Sequence, residues 1–292
     1  MKTKIIFFGN GALADTSLSV LKNYSSLEII FHAKSKSDLD RVKILKKENP
    51  SAVGVLASFG VLIKKNLLDL FEPLGILNIH PSLLPKYRGA SPIESAILAG
   101  DSTFSVSVMK LVQAMDAGPI FCQKTFEHLP LDKAKIYETL ASAGATWLAE
   151  NLPTLSSLKN VFDFPNLIIQ SDSAATFTKK FKKSDGVLTP ETDPADLTFR
   201  KIIAFQTFPK PKLPILGQEC IILSARPISH SELPSEASPL KTSSSPESSS
   251  YVLASKKRLF LRCADGNYLE LLRLQPASRK PMDATSFLNG LK

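Results

Sequence analysis

The chain has 292 residues, of which 43% are hydrophobic and 22% charged, a composition typical of a globular protein with about two domains. It contains no apolar run of about 18 residues, so we expect no membrane span. Its three widely spaced cysteines argue against a disulfide framework and for the reducing cytoplasm. The net charge of +9 fits a polyanionic partner such as nucleic acid, although it does not require one.

The first half of the chain alternates apolar strands with helices, which is the pattern of a doubly wound α/β domain whose sheet is rich in parallel strands. A turn, Gly9-Asn10-Gly11, joins the first strand to the first helix, and a phosphate-holding role for it is the alternative interpretation. The predicted strands are 4–8, 27–31, 52–57, 75–77, 105–111 and 119–125, and the predicted helices are 12–21, 38–48, 64–70, 92–100 and 132–152.

The stretch from residue 74 to residue 101 organises this domain. Asn78 and His80 alternate at the end of an apolar strand, so both side chains should leave the same face of the strand. A proline-punctuated loop at 81–88 follows, and a helix begins at Ser91-Pro92. Ligands of open α/β sheets bind outside the carboxyl ends of the strands, so this position favours a functional role.

A carboxylate, Asp116, lies in the turn that follows the next strand. Together with Asn78 and His80 it forms a trio without a nucleophile of its own. Such a trio suits a reaction in which one substrate attacks a carbonyl carbon of another, because amide and imidazole donors hold the developing oxyanion and the carboxylate helps to move the proton. A hydrogen-bonded structural histidine at a strand end is the alternative. The histidines lack the spacing of metal ligands, so we expect no metal.

The second half changes character near residue 171. The linker lysines, which we define as Lys179, Lys180, Lys182 and Lys183, indicate an exposed basic connection. A helix at 194–205 and short strands at 219–225, 251–254, 258–264 and 267–274 then predict a small OB-like β-barrel. We divide the chain into a catalytic domain at 1–175, a linker at 176–192 and a C-terminal domain at 193–292. Within the last, the serine-rich segment near 229–250 should be disordered.

Two motifs carry a resemblance to a known family. NIHPSLLPKYRG, from Asn78 to Gly89, resembles the signature of the folate-dependent formyltransferases, and MDAGPI, from Met115 to Ile120, is similar to the segment with that family's catalytic aspartate. The resemblance implies a Rossmann-like formyltransferase domain followed by an OB-like barrel. It also implies that Asn78 and His80 hold the oxyanion and that Asp116 orients His80 and assists proton transfer.

The resemblance extends to cosubstrate and partner. It implies 10-formyltetrahydrofolate as the formyl donor, bound in part by Ser82, Leu83, Leu84 and Pro85. FTKKFKKSDG at 177–186 and LLRLQPASRKPM at 271–282 resemble the family branch that formylates the methionine carried by initiator tRNA, for translation initiation. Initiator Met-tRNA is therefore the expected partner, and we expect a monomer in the cytoplasm.

One departure from the family pattern affects tRNA binding. Family members usually carry, after the second strand, a further strand-helix unit and a basic loop that reaches the acceptor end of the tRNA. Here the chain passes from Ala33 to the helix at Asp38 in a few residues. We therefore expect the linker lysines and the barrel cations Lys256, Lys257 and Arg258 to carry more of the tRNA binding.

Two other functions remain open at the level of sequence. One is formylation of a small amine, either glycinamide ribonucleotide or an amino-sugar nucleotide, although the first would leave the additional domain unexplained. The other is a non-catalytic tRNA-binding protein on an enzyme scaffold, although the intact trio argues against it. Formyl transfer to charged initiator tRNA, glycinamide ribonucleotide and an amino-sugar nucleotide, measured side by side, separates these hypotheses.

Overall fold

The structure is a computed structural model that describes residues 2–240 and 251–291. The chain forms two compact units. The first comprises 2–96 and 101–180, and the second comprises 97–100 and 181–291 in the described part of the chain. We describe each unit by itself.

The helices and strands are numbered in chain order. The strands are β1 Thr3–Phe8, β2 Leu27–Ala33, β3 Val53–Leu56, β4 Ile76–His80, β5 Arg88–Gly89, β6 Thr103–Lys110, β7 Ile120–Glu127, β8 Phe177–Thr178, β9 Lys212–Ile215, β10 Gln218–Ile228, β11 Ser238–Pro239, β12 Val252–Ser255, β13 Arg258–Arg262, β14 Tyr268–Pro276 and β15 Met282–Asp283. The helices are α1 Ala12–Lys22, α2 Leu39–Glu48, α3 Lys65–Leu68, α4 Pro92–Ala99, α5 Lys133–Leu155, α6 Ala195–Ala204 and α7 Ala284–Asn289.

The first unit is built on a six-stranded sheet in the order β2-β1-β3-β4-β6-β7. The pairs β1–β2, β1–β3 and β3–β4 are parallel, whereas β4–β6 and β6–β7 are antiparallel. The predicted α/β class with a parallel-rich sheet is therefore confirmed. Strand β4 lies where parallel pairing changes to antiparallel pairing, so its carboxyl end borders strands of both directions.

The alternation along β4 separates its polar residues from its packing residue. Ile79 lies beneath α5 at Gly144, where an added Cβ atom would stand 2.7 Å from Ile79 Cγ2. Glycine at 144 therefore allows α5 to approach the strand closely. Because neighbouring side chains of a strand point to opposite faces, Asn78 and His80 share the face opposite Ile79.

The other face of the sheet packs against α2 and α3. Ile6 and Phe8 of β1, both fully buried, join one apolar cluster with Val42 of α2 and Leu67 of α3. Burial of large apolar side chains stabilises such a core by about 1.5–3 kcal/mol each. The sheet is thus covered on both faces, as a parallel-rich sheet requires.

The second unit is an antiparallel sheet in the order β11-β12-β13-β14-β10-β9, to which β15 adds beside β14. The register of β10 against β14 shifts twice, next to Ser224, and such bulges bend a long strand and increase its twist. Ile202 of α6 and Phe287 of α7 pack into the core of the curled sheet. The predicted small OB-like β-unit is therefore confirmed.

Two stretches expected to be irregular contain ordered elements. Within the predicted linker at 176–192, β8 pairs with β5, and Phe181 is buried against Phe205 of the second unit. In the segment expected to be disordered, His230–Glu232 form a 3-10 turn and β11 pairs with β12, so disorder is wrong for 229–240. Pairing with β12 supplies hydrogen-bond partners for the backbone of β11, and the local composition does not predict this pairing. The rest of that prediction, 241–250, lies outside the described residues.

None of the helices within 2–240 and 251–291 has both the length and the apolar character needed to cross a membrane. In the same residues, no group of three or more histidine, cysteine, aspartate or glutamate side chains could hold a metal ion.

Candidate active site

The structure brings Asn78, His80 and Asp116 to one cavity of about 210 Å³ in the first unit. Asn78 and His80 retain only 5% and 4% of their accessible surface, so they face the cavity from within the domain. The remaining wall comes from α1, from the carboxyl ends of β3 and β4 with the loops that follow them, from the segment between β5 and the start of α4, and from α5. These residues are Leu13, Leu56, Ser58, Gly60, Ile79, Pro81, Gly89, Ala90, Pro92 and Tyr137.

The His80 ring is held through its two nitrogens. Nε2 lies 3.0 Å from the carbonyl oxygen of Tyr87, which only accepts, so Nε2 carries a proton. Nδ1 faces the carboxylate of Asp116, 3.7 Å from Oδ2. His80 can therefore donate from Nδ1 only when both ring nitrogens are protonated.

Tyr87 fixes the carbonyl that holds His80. Its hydroxyl donates to Asp101 Oδ2 over 2.9 Å, and its backbone has a positive φ of 58°. Burial, assisted by Asp101, raises the pKa of Tyr87 to about 12, so the hydroxyl keeps its proton and its bond. The hydrogen bond of the Tyr87 side chain thus helps to fix the Tyr87 carbonyl that accepts from His80.

Asp116 is held in a specific orientation. Its Oδ2 accepts a 2.8 Å hydrogen bond from the backbone N–H of Gly89, which aims the carboxylate at the His80 ring. The residue has φ of 47°, in the left-handed region that aspartate tolerates better than most residues. Gln170 donates from Nε2 to the carbonyls of Asp116 and Gly118, at 2.8 and 2.7 Å, and so fixes the turn from the other side.

A buried arginine completes this support. Arg88 is 3% exposed, and it donates from Nε to Gln170 Oε1 and from Nη1 to Asp172 Oδ1, at 3.0 and 2.8 Å. These bonds connect β5, which carries Gly89, with the segment after α5 that holds the Asp116 turn. The expected folate loop is followed directly by this arginine, whose role here is internal support.

The loop expected to bind folate faces the sheet. Ser107 of β6 donates to the Ser82 carbonyl and accepts from the Leu84 N–H, and Gln123 of β7 donates to the Leu84 carbonyl. Leu84 is buried, whereas Leu83 is 42% exposed. None of the residues Ser82, Leu83, Leu84 and Pro85 lines the cavity with the trio. Backbone groups of this loop are hydrogen-bonded to Ser107 and Gln123, and the local sequence does not predict these bonds.

A second cavity, of about 480 Å³, adjoins the same loops. Its wall combines apolar and cationic side chains: Leu62, Ile63, Lys64, Lys65, Asn66 and Gln113. Leu62 is 79% exposed. Gly60 of the first cavity stands two positions before Leu62, and Asp116 stands three positions after Gln113. The two cavities are therefore built on the same pair of loops.

A buried ionic cluster stands behind the trio's cavity. Glu94 Oε1 accepts both the Tyr137 hydroxyl, at 2.9 Å, and the Lys133 ammonium, at 2.8 Å. Glu94 and Lys133 are 8% and 4% exposed. Burial, together with the charge of Glu94, raises the pKa of Tyr137 far above its ordinary value, so the hydroxyl remains a donor.

Sequence reasoning missed several of these residues. Lys133 could have been found, because it occupies the same helix face as Ile136 and Leu140, and a lysine on a buried face of a helix needs a partner. Tyr137 follows Lys133 by four positions and shares that face. Gln170 carries no comparable signal, because its two backbone acceptors are more than 50 positions away in the chain.

Comparison with known families now identifies the class. Residues 10–152 match the formyl transferase family, and residues 180–292 match the formyl transferase C-terminal domain. The chain therefore belongs to the formyl transferase family, and the resemblance drawn from the two motifs is confirmed.

Particular relatives refine this class. Methionyl-tRNA formyltransferase of Chloroflexus aggregans is 35% identical over 255 residues, which are 87% of this chain and 76% of that protein. Methionyl-tRNA formyltransferase from Clostridium thermocellum superimposes with a TM-score of 0.60 at 17% identity, over 80% of this chain and 96% of that chain. HypX from Aquifex aeolicus, solved in complex with tetrahydrofolic acid, gives 0.71 at 16% identity, over 99% of this chain and 47% of that chain. The two structures show a shared fold.

Proposed function

We propose that the protein transfers the formyl group of 10-formyltetrahydrofolate to the amino group of methionine on initiator Met-tRNA. The observation that carries the proposal is the meeting of Asn78, His80 and Asp116 around one cavity, in a chain whose relatives at 30–35% identity bear the name methionyl-tRNA formyltransferase. Transfer of a formyl group from one amine to another requires hydrogen-bond donors for the oxyanion and a base for the proton. The amide, the imidazole and the carboxylate are groups of these kinds.

The proposed roles follow from the bonds of each side chain. Asn78 donates from its amide group to the formyl oxygen, which gains negative charge as the amine attacks the formyl carbon. A His80 ring protonated at both nitrogens donates to the same oxygen from Nδ1, while Nε2 keeps its bond to the Tyr87 carbonyl. Asp116 accepts the proton that the attacking amine loses. It then returns this proton to the folate nitrogen as the old carbon–nitrogen bond breaks, so that protons and bonds balance. Removing one donor to such an oxyanion costs about 100- to 1000-fold in rate.

The second cavity is the proposed binding site for folate. A flat pteridine and a benzoyl ring need apolar walls, which Leu62 and Ile63 supply, and the glutamate carboxylates need cations, which Lys64 and Lys65 supply. Lys65 also binds Asp69, at 2.8 Å from both carboxylate oxygens. Placement here brings the formyl group to the loop that carries Asp116, whereas Ser82 to Pro85 then act as the scaffold of the His80 loop.

A pair of leucine variants tests the folate site. Leu62→Asp introduces a charge into the second cavity and should raise the dissociation constant for tetrahydrofolate at least tenfold, measured by calorimetry. Leu83→Asp is the matched control, because Leu83 is also exposed but lies in the loop that the family resemblance assigned to folate. A larger effect of Leu83→Asp would return the folate site to that loop.

The choice of amine is tested with three acceptors. We expect formylation of methionyl initiator tRNA at a kcat/KM at least 100-fold above that of glycinamide ribonucleotide or an amino-sugar nucleotide. Preference for either small amine would establish the alternative enzyme, and no transfer to any of the three, with tRNA still bound, would establish a non-catalytic tRNA-binding protein. The proposal also includes action as a monomer in the cytoplasm, and size-exclusion chromatography with light scattering tests the monomer.

A further inference from the structure

The wall of the trio's cavity combines polar and apolar side chains. Asn78, His80 and Asp116 are polar, and Leu13, Leu56, Pro92 and Tyr137 supply apolar surface. Its volume of about 210 Å³ exceeds the roughly 150 Å³ in which an apolar protein cavity holds a benzene molecule. There is therefore room for an unbranched apolar side chain beside the reacting amine.

Tyr137 lines this cavity, and its hydroxyl is bonded to a residue that does not line it. The hydroxyl is bonded to Glu94, and neither Glu94 nor Lys133 lines the cavity. The Lys133 ammonium lies 5.9 Å from the centre of the Tyr137 ring as well as 2.8 Å from Glu94. The ring is thus fixed at its far end by an ion pair behind the wall.

A buried ion pair is weak evidence for added stability, because desolvation offsets most of the attraction between the charges. The place of this ion pair beside the cavity points instead to a role in positioning Tyr137. An aromatic ring in a fixed orientation is a good surface for a thioether, since sulfur contacts an aromatic ring favourably.

We propose that Tyr137, held by Glu94 and Lys133, is a specificity-determining residue whose ring forms the wall against which the methionine side chain of the aminoacyl-tRNA packs. This inference rests on the proposed function, because it assumes that the attacking amine belongs to methionine. In this proposal the α-amine of the methionine lies beside Asn78, His80 and Asp116, and the methionine side chain lies beside Leu13 and Pro92.

The test compares two aminoacyl groups on one tRNA. Initiator tRNA is charged with methionine or with alanine, and kcat/KM is measured for both with the wild-type chain and with Tyr137→Ala. A wall that recognises the longer side chain gives the wild type a preference of about 10- to 200-fold for methionine. Tyr137→Ala should reduce that ratio at least tenfold, while the dissociation constant for tetrahydrofolate stays within twofold of wild type.

Two further tyrosine variants keep the test sharp. Tyr137→Phe keeps the ring and should keep the methionine-to-alanine ratio within about threefold of the wild-type ratio. Tyr137→Leu keeps apolar bulk without the ring and should lower the ratio. This second variant provides a test if Tyr137→Ala does not fold. Tyr24→Ala, at a partly exposed tyrosine after α1, is the matched control. An unchanged ratio in Tyr137→Leu overturns the inference. Failure of the wild-type chain to formylate methionyl-tRNA at all overturns the proposed function instead.

Discussion

Asp116 combines two contacts that usually belong to different residues. One oxygen, Oδ2, accepts from the Gly89 N–H at 2.8 Å and also faces His80 Nδ1 at 3.7 Å. The first contact fixes the direction of the carboxylate, and the second places its charge beside the ring. Asparagine at this position can still accept from Gly89 but carries no charge.

Asp116→Asn should therefore lower kcat by about 100- to 10,000-fold, the usual contribution of general acid–base catalysis, with little loss of stability. Initial rates with saturating cosubstrates measure the effect, and thermal unfolding checks the fold. A variant that loses stability in parallel with activity would mean that Asp116 acts chiefly through Gly89.

At the level of elements, β6 ties the loop after β4 to the sheet. Ser107 is fully buried and directly opposite His80 in the β4–β6 register. Its hydroxyl donates to the Ser82 carbonyl at 2.6 Å and accepts from the Leu84 N–H and from Gln123. One hydroxyl therefore satisfies backbone groups of the loop that carries the carbonyl partner of His80.

We expect Ser107→Ala to lower the free energy of unfolding by about 1–3 kcal/mol, because it leaves buried backbone groups without a partner. Ser105→Ala on the same strand is the control, since the Ser105 hydroxyl bonds the exposed Thr125 hydroxyl rather than the loop. Urea unfolding of both variants measures the difference. Equal losses of stability would show that the loop is held by other contacts.

The sheet of the second unit contains an ion cluster with a defined pH dependence. Glu270 of β14 accepts from Arg258 at 2.7 and 3.0 Å and from Arg226 at 2.9 Å. The hydrogen bonds from Arg258, supported by the charges of both arginines, hold the pKa of Glu270 below its ordinary value of 4.5.

A carboxyl whose pKa is lowered by folding adds stability above its unfolded pKa, and this stability is lost as pH falls through the folded pKa. Glu270→Gln should therefore lower the melting temperature at pH 7, and the difference from wild type should shrink as the solution is acidified past the folded pKa. The control is Glu191→Gln, at an exposed glutamate. A difference that persists unchanged in acid would contradict the role of the charge.

At the scale of the whole molecule, the positive charges differ in how far they are exposed and engaged. All four linker lysines are exposed. Among the barrel cations, Arg258 is engaged with Glu270, and Lys256 lies 3.9 Å from Glu236. Lys256 and Lys257 are exposed like the linker lysines. We therefore propose that these six lysines, rather than Arg258, contact the tRNA.

Reversing the charge of the linker lysines should weaken tRNA binding and reduce the slope of log affinity against log salt by about 0.7–0.9 for each phosphate that is no longer neutralised. Filter binding between 50 and 200 mM salt, roughly the range in which such interactions dominate, measures both quantities. The control variant reverses four exposed lysines of the first unit, Lys22, Lys47, Lys135 and Lys159. Equal slopes in the two variants would remove the linker lysines from the interface.

The main strands and helices, the parallel-rich sheet, the β-unit that follows it, and the position of Asn78 and His80 on one face could all be predicted from the sequence. These features depend on local periodicity and on short motifs, and both can be recognised within a short stretch of the sequence. The motifs also carried the family, because their residue types and order are specific.

The support of the site and the surfaces left for substrates became visible only in the folded chain. Gln170 and Ser107 bond to residues tens of positions away in the chain, so no local pattern predicts them. Backbone groups of the Ser82–Pro85 loop are hydrogen-bonded to side chains of the sheet. The second cavity lies where two loops that are distant in the sequence meet. Hydrogen bonds and cavities of this kind depend on distances between segments, which the chain fixes only once it has folded.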